Sequence, residues 1–567
     1  MKELKLDDYS IIKPYLDLAN YEGYNSNFVT MMMWNHEYHI QYEIHEHFVV
    51  MLHNYKGTQF WAMPFTSPQY YREAIDYMLE YSHKHQFEFI IDCAIDTFVE
   101  YIKPLYQDKL LFARTPENDD YVYDRMMLQT LSGKKMQKRR NHYNAFLKEN
   151  PDYIYRDLDL VNDFNMILEC LNRWESEKED LSESMTSEVK GIMYLLSSRH
   201  MLEFEVGGIF INGQMEAFII ASRLKHSTIQ IHVEKANKDI RGLYPAILKE
   251  MLEHHFPDEQ YVNREEDMGL ENLKKSKLSL HPIKMIEKYR IYEKDEYIGQ
   301  ASDDDLESII HLWKDNFPDE TEETTNYYFQ YLYHKEYTFV LKNKNHLISM
   351  LQIVPISIQN HNQIRDCYFI LGVATKKNFE KQGYMKKLLQ FVLEQYNNQI
   401  IYLQAYHPEI YKPFGFNASH YHQKIAVDKE KLIQSPCIPI DDISLLKDYY
   451  EAFVQQFDEY RIRDEYYWKL FIQRCLVFLD NILIFKDHGY LIYHENDESI
   501  EISEFIYLTK DSINIMLSYF SNSTKNIILE CDINVEIEGQ SSLIITMMSN
   551  QVKLDTFDKH KYINEIY

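Results

Sequence analysis

A chain of 567 residues, 26% charged and 45% hydrophobic, is a soluble globular protein with more than one core, because single cores stop growing at about 250–300 residues. No apolar run reaches the roughly 18 residues of a membrane span, and the acidic, amphipathic opening MKELKLDDYSIIKPYLDL is not a secretory leader, so a cytoplasmic location is expected. Six scattered cysteines without a C-x-x-C pair argue against a zinc knuckle or disulfide framework, and a formal charge of −28 disfavours nucleic-acid binding except where positive charge is concentrated.

Hydrophobic periodicity divides the chain into four α/β units. The first, 1–125, begins with a helix over 8–20 and continues with strands at 38–43, 48–55 and 59–64, a helix at 70–83 and a strand at 87–91. The second, 126–293, opens on a basic helix and carries strands at 203–211, 214–224 and 228–234 before a helix at 244–255. A polar stretch, YEKDEYIGQASDDD, leads to the third unit, 299–428, where Ser302 ahead of Asp303 and Asp305 reads as a helix N-cap. Its strands fall at 337–341, 347–356 and 365–374, followed by a helix at 384–396 and a strand at 400–405. The fourth, 435–567, has a helix near 445–457, strands near 481–485, 490–494 and 500–507, and a helix at 512–520. The two halves share the order helix, strands, helix, strand.

Glycine is scarce at 15 residues, yet Gly372, Gly383 and Gly415 cluster in the third unit. LGVATKKNFEKQGYMKKLL, residues 371–389, is a strand, a turn, one glycine and a helix. Unsatisfied N–H groups at a helix N-terminus suit a pyrophosphate, Gly383 would admit it closely, and Lys386 and Lys387 would add charge; a plain strand–turn–helix has the same pattern. After the next strand comes YHPEIYKPFGF, residues 406–416.

The block resembles the GNAT acetyltransferases, whose Arg/Gln-x-x-Gly-x-Gly/Ala loop binds acetyl-CoA; Glu380, Gly383 and Met385 hold the corresponding places. GVAT before the loop and IYKPFGF after it are similar to the Eis-type branch, which carries a second, degenerate GNAT domain like residues 435–550 here. The resemblance implies acetyl-CoA as acyl donor, without a metal, held by Val373 and Thr375 and by the loop residues Lys381, Gln382, Gly383, Tyr384, Met385 and Lys386. It implies Tyr411 as the acid that protonates the leaving thiolate. In that branch the base is the chain's own C-terminal carboxylate, here Tyr567; Glu409 and His407, close to Tyr411 in sequence, are weaker candidates. Glu380 departs from the pattern by placing an acid beside the phosphates. The acidic surface would attract a cationic acceptor amine, small molecule or peptide.

In the first half, LSGKKMQKRRN places Lys134, Lys135, Lys138, Arg139 and Arg140 within seven residues, either a solvated face or a phosphate-binding helix. NREEDMG brings Asn263, Arg264, Glu265 and Asp267 together, with Glu234 and Asn237 of VEKAN expected in the same cleft; a structural salt-bridge cluster is the alternative. Joined with FVTMMMWNHEYHIQYEI, IHVEKANKDIRGLYPAI and YVNREEDMGLENLKKSKLSLHP, these segments resemble the phosphatidylglycerol lysyltransferase C-terminal domain family over about 1–293. That family implies two GNAT-like units, and its membrane-bound members take an aminoacyl group from tRNA. The expected fold is therefore α/β (α+β): four GNAT-like units in two tandem pairs, each a mixed, mostly antiparallel sheet flanked by helices. Three functions remain open: acetyl-CoA-dependent N-acetylation of a primary amine by 299–428, aminoacyl transfer from tRNA docked at the basic helix 133–141, or a non-catalytic scaffold.

Overall fold

The structure is a computed structural model and describes residues 1–159, 162–176, 183–432, 437–552, 555 and 557–565. The chain divides into two compact units, Met1–Lys294 and Asp295–Tyr567. Both are mixed α/β, with mixed, mostly antiparallel sheets flanked by helices.

One local arrangement recurs four times. Antiparallel strands lead into a helix, and the chain returns as a strand parallel to the one that preceded the helix. The parallel pairs are Thr58–Trp61 with Ile90–Ile95, Thr228–Ala236 with Tyr261–Asn263, Gln363–Thr375 with Ile401–Leu403, and Ser499–Tyr507 with Asn526–Asp532. The crossover helices are Tyr71–His85, Leu243–His254, Tyr384–Gln395 and Lys510–Leu517. A parallel pair needs such a crossover, because two residues cannot return the chain to the same end of a sheet.

The boundaries of the four segments are crossed by hydrogen bonding. In the first unit, Lys288–Glu293 inserts between Ile90–Ile95 and Leu110–Arg114, far from its neighbours in sequence. Reciprocally, Asp120–Asp124 lies in the second sheet, between Lys284–Ile286 and Tyr261–Asn263. The second unit repeats the exchange: Gly539–Ser549 runs between Ile401–Leu403 and Asn417–Val427, and Asn417–Val427 pairs in turn with Asn526–Asp532. There the two exchanged strands also pair with each other, so the third and fourth segments share one continuous sheet. The cause is the unpaired edge each short parallel strand would otherwise leave.

Glycines mark where the chain turns into two of these helices. Gly242 and Gly383 are the N-caps of their crossover helices, at φ 84° and φ 89°. That left-handed conformation costs a side-chain-bearing residue about 1–2 kcal/mol.

Candidate functional site

In the second unit the site begins at a divergence of strands. Gln363–Thr375 pairs along its whole length with His346–Asn360, up to Thr375 opposite Ser349. On its other edge it pairs with Ile401–Leu403 only at Tyr368–Ile370. A bulge follows at once, since Gln352 faces Gly372 and Ile353 faces Ile370, leaving Leu371 as the extra residue. Bulges bend a strand and re-aim its groups. From Leu371 to Thr375 the strand therefore presents an unpaired edge inside a V. Val373 and Thr375 are half-buried there, and the Thr375 hydroxyl lies 2.9 Å from that of Ser349.

Beyond Thr375 a 3-10 turn, Lys377–Phe379, is anchored by the buried Phe379 ring. Lys381 turns to φ 59° and Gly383 to φ 89°, and the helix Tyr384–Gln395 starts. The first intrahelical bond runs from the Lys387 N–H to the Gly383 carbonyl. Among the described residues, none of the N–H groups from Lys381 through Lys386 has a protein acceptor. A Cβ built on Gly383 meets nothing within 4 Å, so the space over these donors is open. Lys376, Lys377, Lys381 and Lys386 are exposed around it, while Lys387 is paired with Glu296. Glu380 is exposed to solvent, which screens its charge from the loop. The Gln382 side chain is occupied locally, donating to the Asn378 carbonyl at 3.1 Å.

The Ile401–Leu403 strand runs parallel, so the segment after it leaves the sheet at the same end as the glycine loop. That segment carries Tyr411, half-buried, with its ring edge toward Phe416 and its hydroxyl without a hydrogen-bond partner among the described residues. Burial pushes its phenol up, which keeps it a proton donor at neutral pH. Glu409 stands in solvent beside His407 at 3.4 Å and is not enclosed as a poised base would be. Tyr567 lies outside the described residues.

The first unit holds a second polar site that the exchanged strands assemble. Lys288 and Asp120, both fully buried, pair at 3.0 Å. Lys288 donates to Asn25 at 2.5 Å and lies over the Tyr24 ring, and Asp120 accepts from the Asn263 side chain and the Tyr24 N–H. The following turn, Arg264–Gly269, takes positive φ at Glu265 (60°), Met268 (55°) and Gly269 (71°). Asn263 shapes it by accepting from the Glu265 N–H, and Asp267 by accepting from Gly269 N–H and from the Tyr121 hydroxyl at 2.5 Å. Glu265 accepts from Gln230 at 2.8 Å; burial, with Glu266 alongside, pushes its carboxyl up to about 8. Burial raises Glu266 as well, and one of its oxygens is shielded without a hydrogen-bond partner among the described residues. Lys277 reaches in to the carbonyls of Arg264 and Glu266, its ammonium form disfavoured by burial. Three carboxyl groups thus meet two lysines in one enclosure, where burial favours the protonated forms of Glu265 and Glu266.

Of the residues expected here, Asn263, Arg264, Glu265 and Asp267 share this turn, and Glu234 binds Arg264 at 2.7 Å. Asn237 does not join them: its side chain bonds Glu216 and the Asp239 N–H, shaping the turn before Gly242. The basic run is divided. Arg139 bonds Ser279 and Arg140 caps the Leu131 and Gly133 carbonyls, whereas Lys134, Lys135 and Lys138 are exposed. Asp120, Lys288, Asn25 and Gln230 escaped sequence reasoning: DYVYD and KYRIYE lie outside every strand expected from periodicity, and the exchange alone brings their charges together.

Gly242 itself adopts nearly the same φ and ψ as Gly383, but its surroundings are closed. A Cβ on Gly242 would sit 2.1 Å from the His142 carbonyl of the helix Gln137–Glu149. The Leu243 N–H is taken by Ile240, and Pro245 has no N–H to offer.

Residues 17–292 match the family described as phosphatidylglycerol lysyltransferase, C-terminal, and residues 298–419 match the acetyltransferase (GNAT) domain. An uncharacterized protein of Mycoplasmoides gallisepticum, MYCGA3080, is 25% identical over 195 residues, 34% of this chain; the match spans 61% of that relative's length. A Bacteroides thetaiotaomicron protein of unknown function is 28% identical over 52% of this chain and 99% of its own, with a TM-score of 0.49. L-PGS from Bacillus licheniformis is 13% identical over 51% of this chain and 92% of its own, with a TM-score of 0.39. The chain thus carries, one after the other, a region that matches the phosphatidylglycerol lysyltransferase C-terminal model and a region that matches the acetyltransferase (GNAT) domain model.

Proposed function

We propose that the Asp295–Tyr567 unit transfers an acetyl group from acetyl-CoA to a primary amine. The observation that carries this reading is the row of six unpaired N–H groups at an open, glycine-capped helix N-terminus beside a V-shaped strand edge. Those donors and the helix dipole suit a pyrophosphate, and the exposed lysines add long-range attraction. The free edge at Val373 and Thr375 offers backbone groups to the acetyl carbonyl and pantetheine arm.

The neutral amine attacks the thioester carbonyl; the C–N bond forms, and an edge N–H stabilises the oxyanion. As the C–S bond breaks, Tyr411 gives its proton to the thiolate and is reprotonated from solvent. The amine's surplus proton leaves to solvent, since Glu409 is exposed and partnered by His407. A cationic amine is the favoured acceptor because the chain carries a formal charge of −28.

Calorimetry tests the reading. Wild type binds acetyl-CoA at one site, Gly383→Asp loses binding, and Tyr411→Phe binds normally but turns over slowly. Absence of acetyl-CoA binding by the wild type overturns it.

A second reading, for the first unit, is aminoacyl transfer from tRNA. It is favoured by the enclosed Glu265–Glu266–Lys277 cluster and by the closed Gly242 loop, which leaves no pyrophosphate cradle there. Lys134, Lys135 and Lys138 would be the dock. Aminoacylated tRNA copurifying with the wild type, and lost when these three become Glu, supports it; no tRNA in either case refutes it.

A further inference from the structure

The V in the second unit has two faces, and they are built differently. Phe339 packs with Phe391 and Tyr396, placing the glycine-capped helix on its face of the sheet. Val340, the next residue, clusters with Ile309, Leu312 and Trp313 of the helix Leu306–Asn316. Adjacent strand residues point to opposite faces, so a donor bound at the loop comes from one face and an acceptor must reach the carbonyl from the other.

That other face carries an uncommon element. Tyr328–Leu332 is a π-helical turn, closed by the Tyr333 N–H to the Tyr328 carbonyl at 2.9 Å. Such turns are rare and often functional. It is clamped by one side chain of the sheet. Gln352 is fully buried, donates to the Leu332 carbonyl at 2.7 Å and accepts from the Tyr328 hydroxyl. A buried amide is costly unless bonded at both ends, and this one is. Gln352 also faces Gly372 across the strands, at the bulge that opens the V. Gly372 has no room for a Cβ, because the Trp313 ring would lie 2.6 Å away, and Trp313 stacks on Tyr328 at 3.8 Å. Gln352, Tyr328, Trp313 and Gly372 form a closed circuit around the strand that leads into Val373.

We propose that Gln352 is a positioning residue: by clamping the π-turn it presses Trp313 onto Gly372 and sets the width of the V on the acceptor face. This rests on the acetyltransferase reading of the same unit. The amide touches neither substrate; it acts through Tyr328 and Trp313.

The test uses the full chain and two variants, Gln352→Met and Tyr328→Phe, the second removing only a hydroxyl. Acetyl-CoA affinity is measured by calorimetry, and thiol release from acetyl-CoA is followed with and without spermidine as probe amine. Hydrogen exchange is read at the Tyr333 amide. The expected result is acetyl-CoA affinity within about twofold of wild type, a fall in kcat of about tenfold or more for Gln352→Met, a smaller fall for Tyr328→Phe, and faster Tyr333 exchange in both. Unchanged kcat with faster exchange makes the clamp merely structural and overturns the proposal, as does an equal loss of donor affinity, which signals general damage to the sheet. A wild type that binds no acetyl-CoA, or binds it and releases no thiol, fails the underlying reading and the proposal together. A wild type that turns over no faster than Gln352→Met fails the proposal alone.

Discussion

The two capping glycines share a backbone conformation but not a packing environment, and alanine substitution separates the two effects. Gly383 sits at φ 89°, ψ 7° and Gly242 at φ 84°, ψ 6°, so the conformational cost of a Cβ is the same at both, about 1–2 kcal/mol. At Gly383 nothing else is added, because the new methyl enters open space. At Gly242 it would meet the His142 carbonyl at 2.1 Å and the Phe146 Cβ at 3.0 Å. The first is backbone in the middle of a helix and cannot rotate away, so the helix must shift; overpacking of this kind costs about 1–3 kcal/mol more. Gly383→Ala should therefore lower the melting temperature of its unit by a few degrees, and Gly242→Ala should lower that of its own by roughly twice as much, at about 2–4 °C per kcal/mol. Calorimetric melting of the full chain, with each transition assigned by limited proteolysis, measures both. Acetyl-CoA affinity should fall for Gly383→Ala, whose methyl intrudes on the donor cradle, and hold for Gly242→Ala. Equal losses of stability would refute the claim that one loop is closed and the other open, and so would a loss of acetyl-CoA binding in Gly242→Ala.

Tyr411→Phe removes the proton donor and little packing, so kcat should drop about a hundredfold with acetyl-CoA affinity unchanged, by calorimetry and thiol release. The Glu265 carboxyl titrates near 8 in the fold against 4.5 unfolded, so the folded first unit holds a proton that the unfolded chain has lost. Its stability should consequently fall as pH rises from about 4.5 to about 8, and Glu265→Gln should flatten that slope in urea titrations at stepped pH. Lys288→Met strands Asp120 as an unpaired buried carboxylate and should cost about 3–5 kcal/mol, whereas adding Asp120→Asn should restore much of it in a double-mutant cycle.

The strand, glycine turn and helix of residues 371–389 were legible in the sequence because their signal is local. The strand, the turn, Gly383 and the helix follow one another, and the αL cap has few alternatives to glycine. The place of Tyr411 after the parallel strand was legible in the same way, through its neighbours in IYKPFGF. The exposure of Glu380 is a feature the sequence does not reach, since it depends on how the turn packs. The Glu265 turn was visible as a run of charges, but its partners Asp120 and Lys288 were not. They belong to strands that cross between sheets, and period-two patterns assign a strand a face without assigning it a neighbour. Asn237, near Glu234 in sequence, bonds Glu216 and the Asp239 N–H and shapes the loop that leads into the helix.

Strand exchange also decides what can be cut from this chain. The GNAT-type match ends at residue 419, and the periodicity of the sequence closes that unit at 428. In the fold, however, Asn417–Val427 has two neighbours, Gly539–Ser549 and Asn526–Asp532, and both come from beyond residue 428. A 299–428 fragment would keep the whole donor loop and Tyr411 yet leave that strand without a ladder partner and Ile401–Leu403 with an open edge. An unpaired, partly apolar strand is an aggregation template, and its orphaned backbone groups cost what the ladder would have returned. The 299–428 fragment should therefore be insoluble or bind no acetyl-CoA, while residues 295–567 should fold and bind as the full chain does. Expression of both, compared by circular dichroism and calorimetry, checks this. A soluble, binding-competent 299–428 fragment would show that the exchanged strands are dispensable and that the four segments are separable domains after all.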